Sequence, residues 1–470
     1  MRLFRRMLLL ILLLGAVSCG EQDLPVDATP PPTSAAATTT PTATPLPSAA
    51  PAPSATSRPP ATPTLVPTLP PAATEEAEAG ELPAHVERDM IQIEWEVERF
   101  RGLDATAGIT RTLMTRDELA EYLVEDFDAE YPPEEVQADV RVLAAFDFVP
   151  ADFDLRQVLL DLYTTQVLGL YDDERDTFFV VTDDEFDLMD RLTFAHEYVH
   201  GLQDQHFRLD TFIDDEMMND DEVLARLALV EGDATLAMSE YLMRHVSELT
   251  SDDLAALEGE EIAGSDEALA AAPPILRETM IFPYEAGLEF VAVIQAEGWD
   301  AVDAAYLAPP VSTEQILHPE KYLAGDEPEL VSLPPLTGTL GSGWTLVDAD
   351  SLGEFQTQLY LAGFVDDETA TAAAVGWDGD RYAVYAQGDE DVLLFVTAWD
   401  SEEDVQEFVA AYQLYAEAKY RARLTRETGS TFWWETPGES TALTWTGKRV
   451  VLVVGPDVEM VERVLAEVEL

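Results

Sequence analysis

The chain predicts an α+β protein, a mainly helical region with a short strand followed by a smaller α+β module. Three observations carry this reading. Apolar residues recur at helical spacing from residue 85 to about 335. Short, Val- and Trp-containing apolar runs separated by turn residues begin near residue 340. Before both, residues 20–82 are rich in Pro, Thr, Ala and Ser and nearly free of large apolar side chains, so they cannot build a core. The predicted organisation is a leader at 1–19, an extended stalk at 20–82, the helical domain at 83–335 and the α+β domain at 336–470.

The leader opens with Arg2, Arg5 and Arg6 ahead of an apolar run from Met7 to Val17, which is too short for a membrane span. Ala16-Val17-Ser18-Cys19 follows, the pattern of a bacterial lipoprotein cleavage box. Cys19 is the only cysteine, which excludes a disulfide framework within the chain and suits a lipid attachment point. At about 3.1 Å per residue in polyproline geometry, the stalk could reach roughly 150–200 Å. Amphipathic helices are expected at Met90–Phe100, Arg116–Glu125, Glu134–Ala145 and Leu155–Val167, then a strand at Thr177–Val181. In the last part, strands are expected at Tyr382–Tyr385, Val392–Thr397, Thr441–Trp445 and Val450–Val454, and helices at Ser401–Ala418 and Val458–Glu467. The tryptophans concentrated there suit a core.

His196-Glu197-Tyr198-Val199-His200 spells H-E-x-x-H. On a helix the two imidazoles project from one face and can share a zinc ion, and Glu197 stands where it can take a proton from an activated water. Thr182 and Glu185 predict a capping box, with Asp183 and Asp184 in the first turn. Leu188, Leu192, Ala195, Val199 and Leu202 then form a core-facing stripe, with His196 and His200 on its flank. The chain has only 6 histidines, which makes a chance match improbable.

Two histidines leave the metal open, and two residues compete for the third position. Glu231 sits in Leu229-Val230-Glu231-Gly232-Asp233-Ala234, on a helix expected to start near Asn219 or Asp220. A carboxylate in an apolar run is costly unless paired or metal-bound. Gly232 weakens a helix by about 1 kcal/mol relative to Ala, so it predicts close approach of another element, here expected to be the histidine helix. His206 is the rival, since His196, His200 and His206 reproduce the metzincin spacing. That pattern needs a glycine where this chain has Gln203, and Gly201 is two residues early.

With Glu231, the site resembles the gluzincin-type zinc metallopeptidases. The resemblance implies a mainly helical zincin-like metallopeptidase domain with a short edge strand, here Thr177–Val181, which would hold substrate as an added strand. More broadly, the chain resembles uncharacterised bacterial and haloarchaeal surface lipoproteins. These share Gly169-Leu170-Tyr171-Asp172, the stretch from His196 to Gln205 and Val230-Glu231-Gly232-Asp233-Ala234. Segments 312–322 and 376–382 fit the same likeness.

The formal net charge of -66 argues against a nucleic-acid partner, since phosphate binding needs a basic face. The expected partners are a peptide or protein substrate and, through the lipid on Cys19, the extracytoplasmic face of the cell membrane. The expected chemistry is zinc-assisted peptide hydrolysis with His196, His200 and Glu231 as ligands and Glu197 as general base. His318, Tyr322 and Tyr284 are the candidate oxyanion donors. The competing expectation is a surface binding or scaffold lipoprotein with a structural or inactive zinc site. Replacing Cys19 with Ser is expected to release the protein from the membrane fraction. Sedimentation of the variant with membranes after salt and carbonate washes would rule out the lipid anchor.

Overall fold

Helices make up most of the first part of the chain, as the apolar spacing requires. The structure, a computed structural model, describes residues 82–166, 169–172, 177–181, 186–213, 217–259 and 265–468. The expected leader with Cys19, the stretch 20–81, and Thr182 and Glu185 lie outside the described residues, which all belong to one compact unit. No described helix is long and apolar enough to cross a membrane.

The chain begins with α1 (Ala84–Arg101), β1 (Thr110–Met114), α2 (Arg116–Glu130), α3 (Pro133–Ala145) and α4 (Leu155–Gln166). Next come β2 (Gly169–Asp172), β3 (Thr177–Val181), α5 (Leu188–Phe207), the one-turn α6 (Leu209–Phe212) and α7 (Asp220–His245). Helices α8 (Ser251–Gly259), α9 (Ser265–Ala271), α10 (Pro274–Gln295), α11 (Trp299–Leu307), α12 (Thr313–Leu317), α13 (Pro319–Ala324) and α14 (Thr337–Leu340) complete the helical part. The remainder is β4 (Thr345–Asp348), α15 (Gly353–Ala362), α16 (Asp367–Ala374), β5 (Trp377–Gln387), β6 (Glu390–Trp399) and α17 (Glu402–Tyr420). It ends with β7 (Arg426–Glu427), β8 (Thr431–Thr436), β9 (Glu439–Thr446), β10 (Arg449–Gly455) and α18 (Val458–Leu465).

The expected edge strand is not an edge. The first sheet has the order β1-β3-β2, so Thr177–Val181 lies in the middle. It pairs in parallel with β1 from Thr110↔Thr177 to Met114↔Val181. On its other side it pairs antiparallel with β2, from Gly169↔Val180 to Asp172↔Thr177. The reason is visible in its composition. Phe178 and Phe179 point to opposite faces, and both are buried, as in a strand covered on both faces. The helix that follows also starts later than Thr182 and Glu185 suggest. Asp187 caps it, accepting from the Met189 and Asp190 amides at 2.8 and 3.1 Å, and the Asp190 side chain returns a bond to the Asp187 amide.

The second sheet is antiparallel, with order β4-β5-β6-β10-β9-β8-β7. Its four expected strands are present and longer than expected, while β4, β7 and β8 had no clear signal. One face packs on α17 and on the helical part; the other is closed by α14 and α18. The change of character near residue 336 therefore separates two compositions that share a core. Phe146, at the end of α3, meets Tyr382 and Phe395 of this sheet edge-on, with ring centroids 5.2 and 5.5 Å apart.

The segments 312–322 and 376–382 meet at this junction. The Thr313 amide donates to Asp221 at 3.0 Å, at the start of α7. Lys321 reaches Glu314 at 2.5 Å and Asp400 at 2.6 Å. Asp380 accepts from the Leu352 and Gly353 amides and from the Trp377 indole, each at 2.9 Å.

Gly232 does allow a close approach, but the partner is α10 rather than the histidine helix. A Cβ at Gly232 would lie 2.2 Å from the Gly287 carbonyl oxygen, and a Cβ at Gly287 would lie 2.1 Å from that of Ala228. The two backbones touch, so α7 is held between α5 and α10. Alanine is the better helix former by about 1 kcal/mol, yet overpacking a buried contact costs about 1–3 kcal/mol, more when backbone must move. The steric cost should win. Gly287→Ala is expected to destabilise the protein by about 1–3 kcal/mol in urea unfolding, and an unchanged or raised midpoint would contradict this helix contact.

Candidate metal centre

Helix α5 places His196 and His200 one turn apart on its buried side, and α7 brings Glu231 against them. All three are essentially without exposure, at 1%, 0% and 0%. Nε2 of His196 lies 3.2 Å from Oε2 of Glu231. Nε2 of His200 lies 3.0 Å from Nε2 of His196 and 3.5 Å from the same carboxylate oxygen. Tetrahedral bonds of about 2.0–2.1 Å to a zinc-sized ion put its ligand atoms about 3.3–3.4 Å apart. The triangle has those dimensions, and its donor set is one that zinc accepts. One further observation fits a cation: Oε1 of Glu231 is buried without a hydrogen-bond partner. This group can hold a metal ion, and it is the sole such group of His, Cys, Asp and Glu among the described residues.

The electrostatics are those of a tightly coupled cluster. Burial alone would raise the Glu231 carboxyl, but the two imidazoles outweigh it and hold it down near 2. Burial would also depress His200, yet Glu231, Glu197 and the Gln203 bond carry it up to about 9. His196 is lowered, by burial first and by the neighbouring His200. Glu197 is 1% exposed and is pushed up to about 8, by burial above all and also by Glu231. Its Oε2 accepts the Tyr171 amide of β2 at 3.2 Å. Its side chain also borders a narrow cavity lined by Tyr171, Phe178, Phe194 and Tyr198, with the Glu94–Arg111 ion pair on the wall.

The other expected site residues fall in different places. Tyr284, on α10, is brought to the cluster: its ring lies nearly parallel to that of His196, with centroids 6.0 Å apart. His318 is engaged at the junction with the second sheet, with Nε2 2.9 Å from Oε1 of Glu354 on α15. Tyr322 donates its hydroxyl to the Ala308 carbonyl at 2.8 Å. His206 is outside the cluster. The helix does not break at Gln203, so His206 points elsewhere, and its Nε2 meets the Asp104 carbonyl at 2.9 Å.

Sequence reasoning missed the residues behind the ligands. Gln203 was read only as a missing glycine, but it is fully buried and its Oε1 lies 2.8 Å from Nδ1 of His200. Asp233, two residues after Glu231, is equally buried and is paired with Arg101 at 2.7 Å. An aspartate beside an apolar stripe was a signal for that pair; nothing local marks Arg101 as its partner.

Among family models, one described as a domain of unknown function (DUF8575) matches residues 344–465. That match spans β4 to α18 and leaves the His–His–Glu cluster outside it. No curated protein and no solved structure matches the chain. The geometry separates the rival ligands: Glu231→Ala is expected to abolish most metal binding, while His206→Ala retains it. Metal content by mass spectrometry of the purified variants checks this, and the opposite pattern would reassign the third ligand.

Proposed function

We propose that this chain is an extracytoplasmic, lipid-anchored zinc metallopeptidase of zincin-like type. One observation carries the reading: the H-E-x-x-H helix receives a carboxylate from a second helix to complete a His–His–Glu triangle with zinc-ligand dimensions. A zinc ion held by His196, His200 and Glu231 supplies the Lewis acidity that activates water and polarises a peptide carbonyl.

The chain's own residues supply the remainder. Glu197 accepts a proton from the attacking water and later delivers it to the leaving amine. Its carboxylate is oriented for this by the Tyr171 amide. Tyr284, whose ring lies beside that of His196, is the tyrosine assigned to the oxyanion in this reading. The substrate-pairing strand is β2 rather than β3. It lies at a sheet edge, and its Tyr171 amide points away from β3 toward Glu197. Zinc as the metal, the peptide or protein substrate and the membrane location are all part of the proposal.

The burial of the whole cluster favours a second reading, a closed structural zinc site in a surface binding or scaffold protein. Glu197 separates the two, because a catalytic site needs it as a base and a purely structural site does not. Replacing Glu197 with Gln keeps the side chain's size and leaves the three ligands untouched. Metal content and thermal stability are expected to stay near wild type, while cleavage of a peptide found by library profiling falls by about 10²–10⁴-fold. Equal cleavage by both proteins would remove Glu197 as the base. A fourth protein ligand on the metal in an experimental structure would decide for the structural site.

A further inference from the structure

The amide of Gln203 is oriented by its surroundings. Both protons on its Nε2 are committed, one to the Val230 carbonyl and one to Oδ2 of Asp233, each at 3.0 Å. Its Oε1 is thereby turned toward Nδ1 of His200, 2.8 Å away, and can only accept there. An imidazole that donates from Nδ1 keeps the lone pair of Nε2 for a cation. Nε2 is the His200 atom that faces His196 and Glu231. His196 has no such support, since its own Nδ1 is buried without a hydrogen-bond partner.

Asp233 is held just as firmly. Arg101 donates to its two oxygens from Nε at 2.7 Å and Nη2 at 2.9 Å, and the Tyr306 hydroxyl adds a bond at 2.9 Å. Arg101 is itself fixed by Asp303 at 2.7 Å and by the Trp299 ring, 4.7 Å from its guanidinium carbon. The chain of bonds runs from α1 through α7 to the second histidine of α5.

We propose that Gln203 is a positioning residue that fixes His200 as the Nδ1–H tautomer, and that Asp233, clamped by Arg101, holds Gln203 in the orientation that does so. The proposal rests on the reading of His196, His200 and Glu231 as metal ligands. It differs from simple space filling. Leucine at position 203 would occupy similar volume but leave His200 Nδ1 without its acceptor and take one hydrogen bond from Oδ2 of Asp233.

The test uses the purified full chain and zinc competition against a chelator of known affinity. Gln203→Leu is expected to weaken zinc binding by about 10–100-fold. Nitrogen NMR of the zinc-loaded wild type, with labelled histidine, is expected to show His200 bound through Nε2 and protonated at Nδ1. This readout needs no variant and stands even if Gln203→Leu fails to fold. Wild-type zinc binding with an undiminished Gln203→Leu variant would overturn the proposal and leave the metal centre in place. A His200 bound through Nδ1 would overturn it too. A wild type that binds no zinc would instead overturn the metal reading, and this proposal with it.

Discussion

Helix α7 carries two carboxylates with no access to water, Glu231 and Asp233, and the molecule is arranged to meet both charges. A lone buried carboxylate would cost several kcal/mol and be protonated instead. Glu231 is met by the two imidazoles of α5, and Asp233 by the guanidinium of α1 together with an amide and a phenol. Three elements must therefore close on one helix. The glycine contact with α10 fixes the remaining side, since no side chain intervenes between the two backbones. Glu231 needs α5, and Asp233 needs α1, α5 and α11, which makes the cluster and its support a product of several helices and not of one motif.

The parts of this arrangement that depend on local spacing could be read from the residues. His196 and His200 share a helix face because they are four apart, and the Asn219 cap with its amphipathic continuation marked α7. Glu231 stood out as a charge in an apolar run. What depends on pairing across the chain was not legible. β3 looks the same as a sequence whether one neighbour or two flank it, and β1 and β2, of five and four residues, are too short to signal themselves. Gln203 offered no pattern, because its role is defined by Val230 and Asp233 on another helix. Gly232 predicted a close neighbour correctly in kind but not in identity, since a glycine announces an approach and not its direction.

The second sheet was legible in its four central apolar strands and illegible at its rims. Strands β5, β6, β9 and β10 are buried over long runs, so composition alone marks them. Strands β4, β7 and β8 are shorter and more exposed, with mixed composition. The sheet's contact with α3 through Phe146, and the polar junction of Asp221, Thr313 and Asp380, tie it to the part that carries the histidines. Residues 312–322 and 376–382 are thus joints between the two parts, which gives their polar and aromatic residues a structural purpose.

Arg101 is the last residue of α1, and it lies 95 positions before His196, the first histidine of the cluster. A fragment cut to begin at β1 would contain every metal-ligating side chain and every letter of the H-E-x-x-H signature. It would nevertheless lack the cation that neutralises Asp233, and the pocket behind His200 would carry an unanswered negative charge. For this protein, the shortest stretch that spells the site is not the shortest that can form it, and a protease nick between α1 and β1 that freed the helix would disarm the centre without touching it.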